Sequence, residues 1–178
     1  MEILSRLKSW YRIGRRTTVI KSHQLKSVFW AMMNIRTELM EPLTFRDYLL
    51  ICLFTGLRTN EVASLRIDSI DLKERSILLK GETVKNKQDH FVPLNTFTFN
   101  IIRSRVDRLK EIAEKTPNLD DQKGAKYLFP SKSKTGHFAE PRAACDPVSE
   151  NSRIKFCSHD LRGTFITIAE SLDISPYA

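Results

Sequence analysis

The chain has 178 residues, a length typical of a single domain whose hydrophobic core needs no covalent staples. Its formal net charge of +8 favours a polyanionic partner, with nucleic acid ahead of an acidic membrane surface. The hydrophobic fraction of 41% argues against disorder, and the longest apolar run, residues 49–54, is too short to cross a bilayer.

Targeting, redox and metal signals are negative. Residues 1–16 contain no continuous apolar stretch, so the sequence predicts no secretory signal and favours a cytoplasmic protein. The three cysteines show no Cys-x-x-Cys spacing, and the four histidines have no carboxylate or thiolate neighbours at ligand spacing. We therefore predict neither a disulfide framework nor a bound metal.

The first half of the chain shows helical patterning. Residues 1–21 are polar and basic and are interpreted as an arm that leads into the domain formed by residues 22–178. Apolar residues at three- and four-residue steps predict a first helix over 25–39, and the same period predicts a second over 45–53. Thr55-Gly56 ends the second helix, and a short third helix is expected from about Thr59.

The period then changes from 3.6 to 2. Two β-prone runs, residues 76–80 and 90–94, flank a lysine-rich stretch and predict an antiparallel hairpin. A helix over 102–113, a surface loop over 131–147 and a last helix with Ser158 as its N-cap follow. The expected fold class is α+β, mainly α, with one small antiparallel sheet.

The first candidate site lies in Thr-Gly-Leu-Arg-Thr-Asn-Glu, residues 55–61. The glycine turn places Arg58 between two apolar helices, and Glu61 lies three residues further on, within reach of the guanidinium. A surface ion pair beside a helix start is the alternative. A charged side chain between two buried segments is costly unless it is paired or functional, which favours a site.

The second candidate is the predicted hairpin tip, residues 83–88, which carries Lys85 and Lys87. Lysines at hairpin tips often serve only solubility and block edge pairing. The functional alternative is a mobile ammonium that reaches a phosphate or a leaving oxygen. Local sequence does not separate the two interpretations.

The third candidate is Ser-His-Asp-Leu-Arg, residues 158–162, at the start of the last helix. His159 and Arg162 are three residues apart and share a helix face, while Leu161 turns into the core. Together with outward-pointing amides of a helix N-terminus, these side chains could hold a phosphate. A capped helix with two polar residues in its first turn is the alternative.

Taken in order, these motifs resemble those of a known family. Thr-Gly-Leu-Arg-x-x-Glu, a hairpin lysine before Val92-Pro93-Leu94, Tyr-Leu-Phe-Pro at 127–130 and His-Asp-Leu-Arg at 159–162 resemble the catalytic domain of the tyrosine recombinases, or phage integrases. The resemblance runs from about Leu25 to the C-terminus and is strongest to integrases of prophages and genomic islands. It implies a helical integrase-type catalytic domain over residues 22–178.

The resemblance also implies roles for individual residues. Arg58 and Arg162 would donate to the non-bridging oxygens of a scissile phosphate, and Glu61 would hold Arg58. Lys85 would act as general acid on the 5′-oxygen, and His159 would assist proton transfer. Because the phosphoester is exchanged between a tyrosine and DNA, neither a nucleotide cofactor nor a metal is implied.

The chain departs from the family pattern at its C-terminal end. In the family a further helix and then the nucleophilic tyrosine follow the His-x-x-Arg helix, so the chain is expected to be a catalytic core truncated before the tyrosine helix and inactive in strand cleavage. Tyr177, 15 residues beyond Arg162, is interpreted as structural. The alternatives are a DNA-binding integrase remnant that does not cleave and, less favoured, a type IB topoisomerase.

The resemblance implies double-stranded DNA at attachment sites as partner, with tetramers formed on DNA by the full-length protein, in the cytoplasm of a bacterium. The candidate DNA contacts among the basic residues are Arg15, Arg16, Lys87 and Arg153.

Overall fold

The computed structural model describes residues 18–36, 41–81, 88–115, 126–139 and 143–174. Six α-helices and three strands lie in this part of the chain: α1 Ser22–Met33, α2 Pro42–Thr55, α3 Thr59–Ala63, β1 Ile70–Asp71, β2 Ser76–Leu79, β3 His90–Pro93, α4 Thr96–Lys115, α5 Asp146–Ser152 and α6 Ser158–Ser171. The α+β, mainly α fold class with a small antiparallel sheet is confirmed.

Helix α2 is the centre of the fold. It is apolar on nearly every face, as a helix surrounded by other elements must be, and it packs against α1, α4 and α6. Tyr48 and Phe45 are fully buried within it. Pro42 starts the helix, where no amide hydrogen is needed, and Gly56 ends it in the left-handed conformation, with φ of 63°.

A buried ion pair fastens α2 to α4. The Arg105 guanidinium lies 3.3 Å from the Asp47 carboxylate and also donates to the Leu128 carbonyl and the Thr44 hydroxyl. The same guanidinium lies 4.4 Å from the centre of the Phe129 ring. These contacts satisfy a charge that would otherwise be costly to bury, and they fix the angle at which α4 crosses α2.

The sheet is a three-stranded antiparallel meander in the order β1-β2-β3. Ile77 of β2 pairs with Ile70 on one side and with Val92 on the other, so the predicted hairpin is confirmed and a short strand precedes it. Ile77 is fully buried against the helices. The segment at the predicted hairpin tip, 82–87, lies outside the described residues.

Two predicted elements differ from the structure. The first helix was expected over 25–39, but α1 begins at Ser22 and ends at Met33, and Ile35 is buried in the segment that follows it. The prediction of a surface loop over 131–147 is also wrong in part. Phe138 contacts Phe45 and Tyr48 in the core, and α5 begins at Asp146.

Residues 18–20, the described end of the predicted basic arm, lie against α6. Ile20 is buried, and its amide donates to the Thr164 hydroxyl on α6. The boundary between arm and domain stays a prediction, since residues 1–17 lie outside the described part of the chain. Within that part, none of the helices combines the length and apolar character that a membrane crossing requires.

Candidate active site

The turn after α2 brings two sequence-distant segments into contact. Gly56 has φ of 63°, a conformation that side chains other than glycine rarely adopt, and the Phe165 ring of α6 lies directly over it. A Cβ atom at Gly56 would lie 2.3 Å from Cδ1 of Phe165. The absence of a side chain therefore allows α6 to approach the turn closely.

Arg58 follows this turn and is held by Glu61, as the sequence predicted. Its Nη1 atom lies 2.9 Å from Oε1 of Glu61, and its backbone amide donates to Oε2 at 2.8 Å. The Glu61 side chain is only 8% exposed, whereas that of Arg58 is 37% exposed. The buried Glu61 carboxylate thus orients both the backbone and the guanidinium of Arg58. Part of the Arg58 side chain stays exposed and accessible to a ligand.

Arg162 reaches the same turn from α6. Its Nη1 atom donates to the carbonyl oxygen of Gly56, two residues before Arg58 and 106 residues away from Arg162 in sequence. Arg162 is half-buried, and the Phe165 ring from the same helix lies over Gly56. The structure therefore brings the two predicted arginines to one end of the central helix.

His159 lies one turn before Arg162 on α6, and its side chain is exposed. The shared helix face expected from the spacing of three residues is therefore present. The exposed side chain of His159 is accessible to solvent on the same α6 face as Arg162.

The start of α6 is one residue earlier than predicted. Cys157, not Ser158, is the N-cap, and its amide donates to Oδ2 of Asp160 at 2.8 Å. The other carboxylate oxygen of Asp160 accepts from the Thr18 hydroxyl at 2.7 Å. Burial opposes ionisation of Asp160, but these hydrogen bonds outweigh it and hold the pKa of the carboxyl below its usual range.

Asp160 changes the electrostatics expected of this helix end. Its carboxylate already occupies the N-cap amide and offsets part of the positive end of the helix dipole. The Cys157 amide at this helix start is therefore already paired within the protein, contrary to the outward-pointing amides expected from the sequence.

The remaining predicted site residues are spread over the chain. Arg153 is exposed at the C-cap of α5 with φ of 58°. The other four lie outside the described residues, and their roles stay predictions: Lys85, Lys87, Arg15 and Arg16.

The described part of the chain contains two tyrosines, and neither is placed as a nucleophile. Tyr48 is fully buried and donates to the Thr59 carbonyl, and burial raises the pKa of its phenol far above the usual range. Tyr127 packs its ring against His137 in the segment that pairs with Arg66. Tyr11 and Tyr177 lie outside the described residues.

Sequence reasoning missed three residues that build this site. Gly56 was identified only as a turn at the end of a helix and Phe165 was not given a role in the site, although the ring of Phe165 lies directly over Gly56. Asp160 was not singled out, yet it caps the helix that carries His159 and Arg162. The Cys-x-x-Asp spacing at 157–160, a variant of the capping-box pattern, could have indicated this role.

Comparison with known proteins decides the family. The model of the phage integrase family matches residues 18–172. The chain belongs to the phage integrase family. It is also 30% identical over 156 residues to the prophage integrase IntF of Escherichia coli strain K12. That alignment covers 87% of this chain and 30% of the relative, so the chain spans about a third of the length of that integrase.

Solved structures of recombinases share the fold of this phage integrase family member. The XerA recombinase superimposes with a TM-score of 0.64 at 20% identity, over 86% of this chain and 50% of that one. XerH bound to its difH substrate gives 0.66 at 20% identity, over 90% and 46%. The Tn1549 transposon integrase in complex with a circular intermediate DNA gives 0.67 at 15% identity, over 93% and 57%. The chain thus has the fold of about half of each of these proteins.

Proposed function

We propose that this chain is the catalytic core of a site-specific DNA recombinase that cleaves and rejoins duplex DNA through a 3′-phosphotyrosyl intermediate. The observation that carries the proposal is the bond from Arg162 to the Gly56 carbonyl, which brings a second guanidinium to the turn that presents Arg58. Two guanidinium groups at one turn suit a phosphate that gains negative charge during reaction.

In the proposed reaction a tyrosine oxygen attacks the scissile phosphorus and displaces the 5′-oxygen of the next nucleotide. Arg58 and Arg162 donate to the non-bridging oxygens, and Glu61 keeps Arg58 in position. Lys85 protonates the departing 5′-oxygen, and His159 assists proton transfer at the phosphate or at the tyrosine. The reverse reaction, with a 5′-hydroxyl from a new strand, restores the phosphodiester and frees the tyrosine.

Removal of either arginine is expected to raise the barrier by about 3–4 kcal/mol, the cost typical of losing one donor to a developing oxyanion. The burial of Tyr48 and the packing of Tyr127 support a nucleophile that comes from neither. With Tyr177 interpreted as structural, the 178-residue chain tested alone is proposed to bind DNA without cleaving it.

Duplex DNA is the proposed partner, and contacts to its phosphates predict that the binding affinity depends on salt concentration. The affinity of the chain for a 30-base-pair duplex should fall steeply between low and moderate salt because counterions are released on binding. Arg58→Ala and Arg162→Ala should each weaken binding. Each should also reduce the slope of log affinity against log salt concentration by about 1, the value for one lost phosphate contact. Arg103→Ala removes an equal charge from an exposed position on α4 and is the matched control. Equal effects of all three variants, or a flat salt dependence, would contradict the proposal.

Strand cleavage is tested with duplexes selected by the chain from a random pool and then nicked to trap an intermediate. A protein that joins this chain to a family-type C-terminal segment should form a covalent adduct at a 3′-phosphate, and the chain alone should form none. An adduct mapped to Tyr177 would overturn the interpretation of that residue. Failure of the joined protein to form any adduct would reject the recombinase function and leave a DNA-binding protein.

Assembly and location belong to the same proposal. The full-length protein is proposed to form tetramers on paired attachment sites, in the cytoplasm of a bacterium. The bacterial location is supported by the relative in Escherichia coli, and binding to DNA by the similar recombinases solved in complex with DNA.

A further inference from the structure

Residues 18–20 form a short strap across the back of α6, with contacts at three consecutive residues. The Thr18 hydroxyl donates to Oδ1 of Asp160 at 2.7 Å, and the Ile20 amide donates to the Thr164 hydroxyl at 2.9 Å. Between these two bonds, the Val19 side chain lies against Gly163, where an added Cβ atom would be 3.2 Å from Cγ1 of Val19. We call residues 18–20 the α6 strap.

Each hydrogen bond of the strap ends on a side chain that also forms a hydrogen bond within α6. The Thr164 hydroxyl that accepts from Ile20 also donates to the Asp160 carbonyl at 2.7 Å. The Asp160 carboxylate that accepts from Thr18 also caps the Cys157 amide. Asp160 is 8% exposed and Thr164 is 1% exposed, so these polar groups depend on one another for hydrogen bonds.

The strap lies opposite the face of α6 that carries the site. At 100° per residue, Asp160 and Thr164 point about 180° away from Arg162. Arg162 and Phe165 contact the Gly56 turn on the other side of the helix. The first turns of α6 are therefore held between the strap and the Gly56 turn.

We propose that the α6 strap positions Arg162, with Thr18, Asp160 and Thr164 as positioning residues that press α6 against the Gly56 turn. The inference rests on the proposed function for the role of Arg162 but not for its geometry. It makes the segment that precedes α1 a determinant of the phosphate-binding arginine, although residues 18 and 162 are far apart in sequence. Loss of the strap contacts would move the Arg162 guanidinium away from the Gly56 turn without substitution of any residue that contacts the phosphate.

The geometric arm of the test uses the side-chain NMR signal of Arg162, assigned by its loss in Arg162→Lys. Thr18→Val replaces the hydroxyl with a methyl group of similar size at an exposed residue and should shift this signal. Its exchange with water should also accelerate by about fivefold, as expected when one hydrogen bond is lost. Thr164→Val breaks the second strap bond and should reproduce the change, whereas Thr18→Ser should retain the wild-type signal.

Two controls distinguish a role of the strap in positioning Arg162 from a general contribution to stability. Thr98→Val removes a buried hydroxyl that bonds Asn95 at the start of α4, so it tests whether general loss of a helix-start hydrogen bond moves the signal. The affinity for a 30-base-pair duplex is then measured for Thr18→Val in the wild-type and Arg162→Ala backgrounds. A positioning residue loses its effect once Arg162 is absent, whereas general destabilisation acts equally in both backgrounds.

The outcomes distinguish this inference from the proposed function. An unchanged Arg162 signal in both Thr18→Val and Thr164→Val, or an equal change in Thr98→Val, overturns the role of the strap. A shifted signal together with DNA affinity that is insensitive to Arg162→Ala upholds the strap and rejects the proposed phosphate contact. A shifted signal and an effect of Thr18→Val on DNA affinity that vanishes in Arg162→Ala supports both.

Discussion

Substitution of Gly56 by alanine tests whether this turn sets the distance between α2 and α6. Alanine must adopt φ of 63°, which costs about 1–2 kcal/mol for a residue with a Cβ atom. The new methyl group would lie 2.3, 2.8 and 2.9 Å from three carbons of the Phe165 ring. Because these atoms belong to the rigid ring, relief requires a shift of α6, and overpacking of this kind costs about 1–3 kcal/mol.

The two contributions together predict a loss of about 2–5 kcal/mol in the free energy of unfolding, a large part of the usual total. For a chain of this size the melting temperature should fall by about 4–20 °C. Urea unfolding at 25 °C, followed by circular dichroism, measures the loss directly. The bond from Arg162 to the Gly56 carbonyl should be disturbed as well, so the folded variant should bind duplex DNA more weakly.

Two further variants separate the contributions. In a Phe165→Ala background the ring is absent, and Gly56→Ala should cost only the backbone contribution of about 1–2 kcal/mol. Gly163→Ala is the stability control, since it adds a methyl group to a glycine of α6 with an ordinary helical conformation, and the nearest atom to that methyl, Cγ1 of Val19, would lie 3.2 Å away and not 2.3 Å. It should stay within about 1 kcal/mol of the wild-type protein. A Gly56→Ala variant as stable as the wild type, or one equally destabilised with and without Phe165, would refute the reasoning.

Three other substitutions or reactions probe the site and the core. Glu61→Gln should weaken duplex binding by about two- to twelvefold, because Arg58 loses a charged partner worth about 0.5–1.5 kcal/mol. Unchanged affinity in a filter-binding assay would show that Glu61 does not hold Arg58 in position for DNA. Arg105→Met should lower the free energy of unfolding by about 1–3 kcal/mol, because the Leu128 carbonyl and the Thr44 hydroxyl lose the Arg105 donor while the Asp47 carboxylate keeps its ion pair with Arg46. A loss under about 1 kcal/mol in urea unfolding would contradict this role of Arg105. Burial raises the pKa of the Cys52 thiol to about 12. A disulfide reagent at pH 8 should therefore label fewer than three thiols in the native protein and all three after unfolding. Rapid labelling of all three thiols in the native protein would contradict the burial of Cys52.

The sequence predicted the helices and the hairpin well where local patterning and tertiary packing agree. The fourth and last helices follow apolar periodicity, the second is a continuous apolar segment, and Gly56 ends it in the left-handed conformation. The prediction was wrong for residues 131–147, because few apolar residues there suggested a surface loop. Phe138 packs against Phe45 and Tyr48, and Ala144 and Cys145 are also buried, but such scattered core residues leave no periodic signal.

By itself, the sequence predicted Arg58, Glu61, His159 and Arg162 as site residues, because they occur in motifs whose spacing carries chemical meaning over a few residues. It also determined the family, which the match over residues 18–172 confirms. Only the tertiary structure decided how Arg162 meets the turn before Arg58, since that contact spans 106 residues and depends on a glycine beneath an aromatic ring. The α6 strap is also a contact that only the tertiary structure decided, since its bonds join residue 18 to 160 and residue 20 to 164. No local pattern encodes such a pairing, because it forms only when α6 packs on the segment before α1.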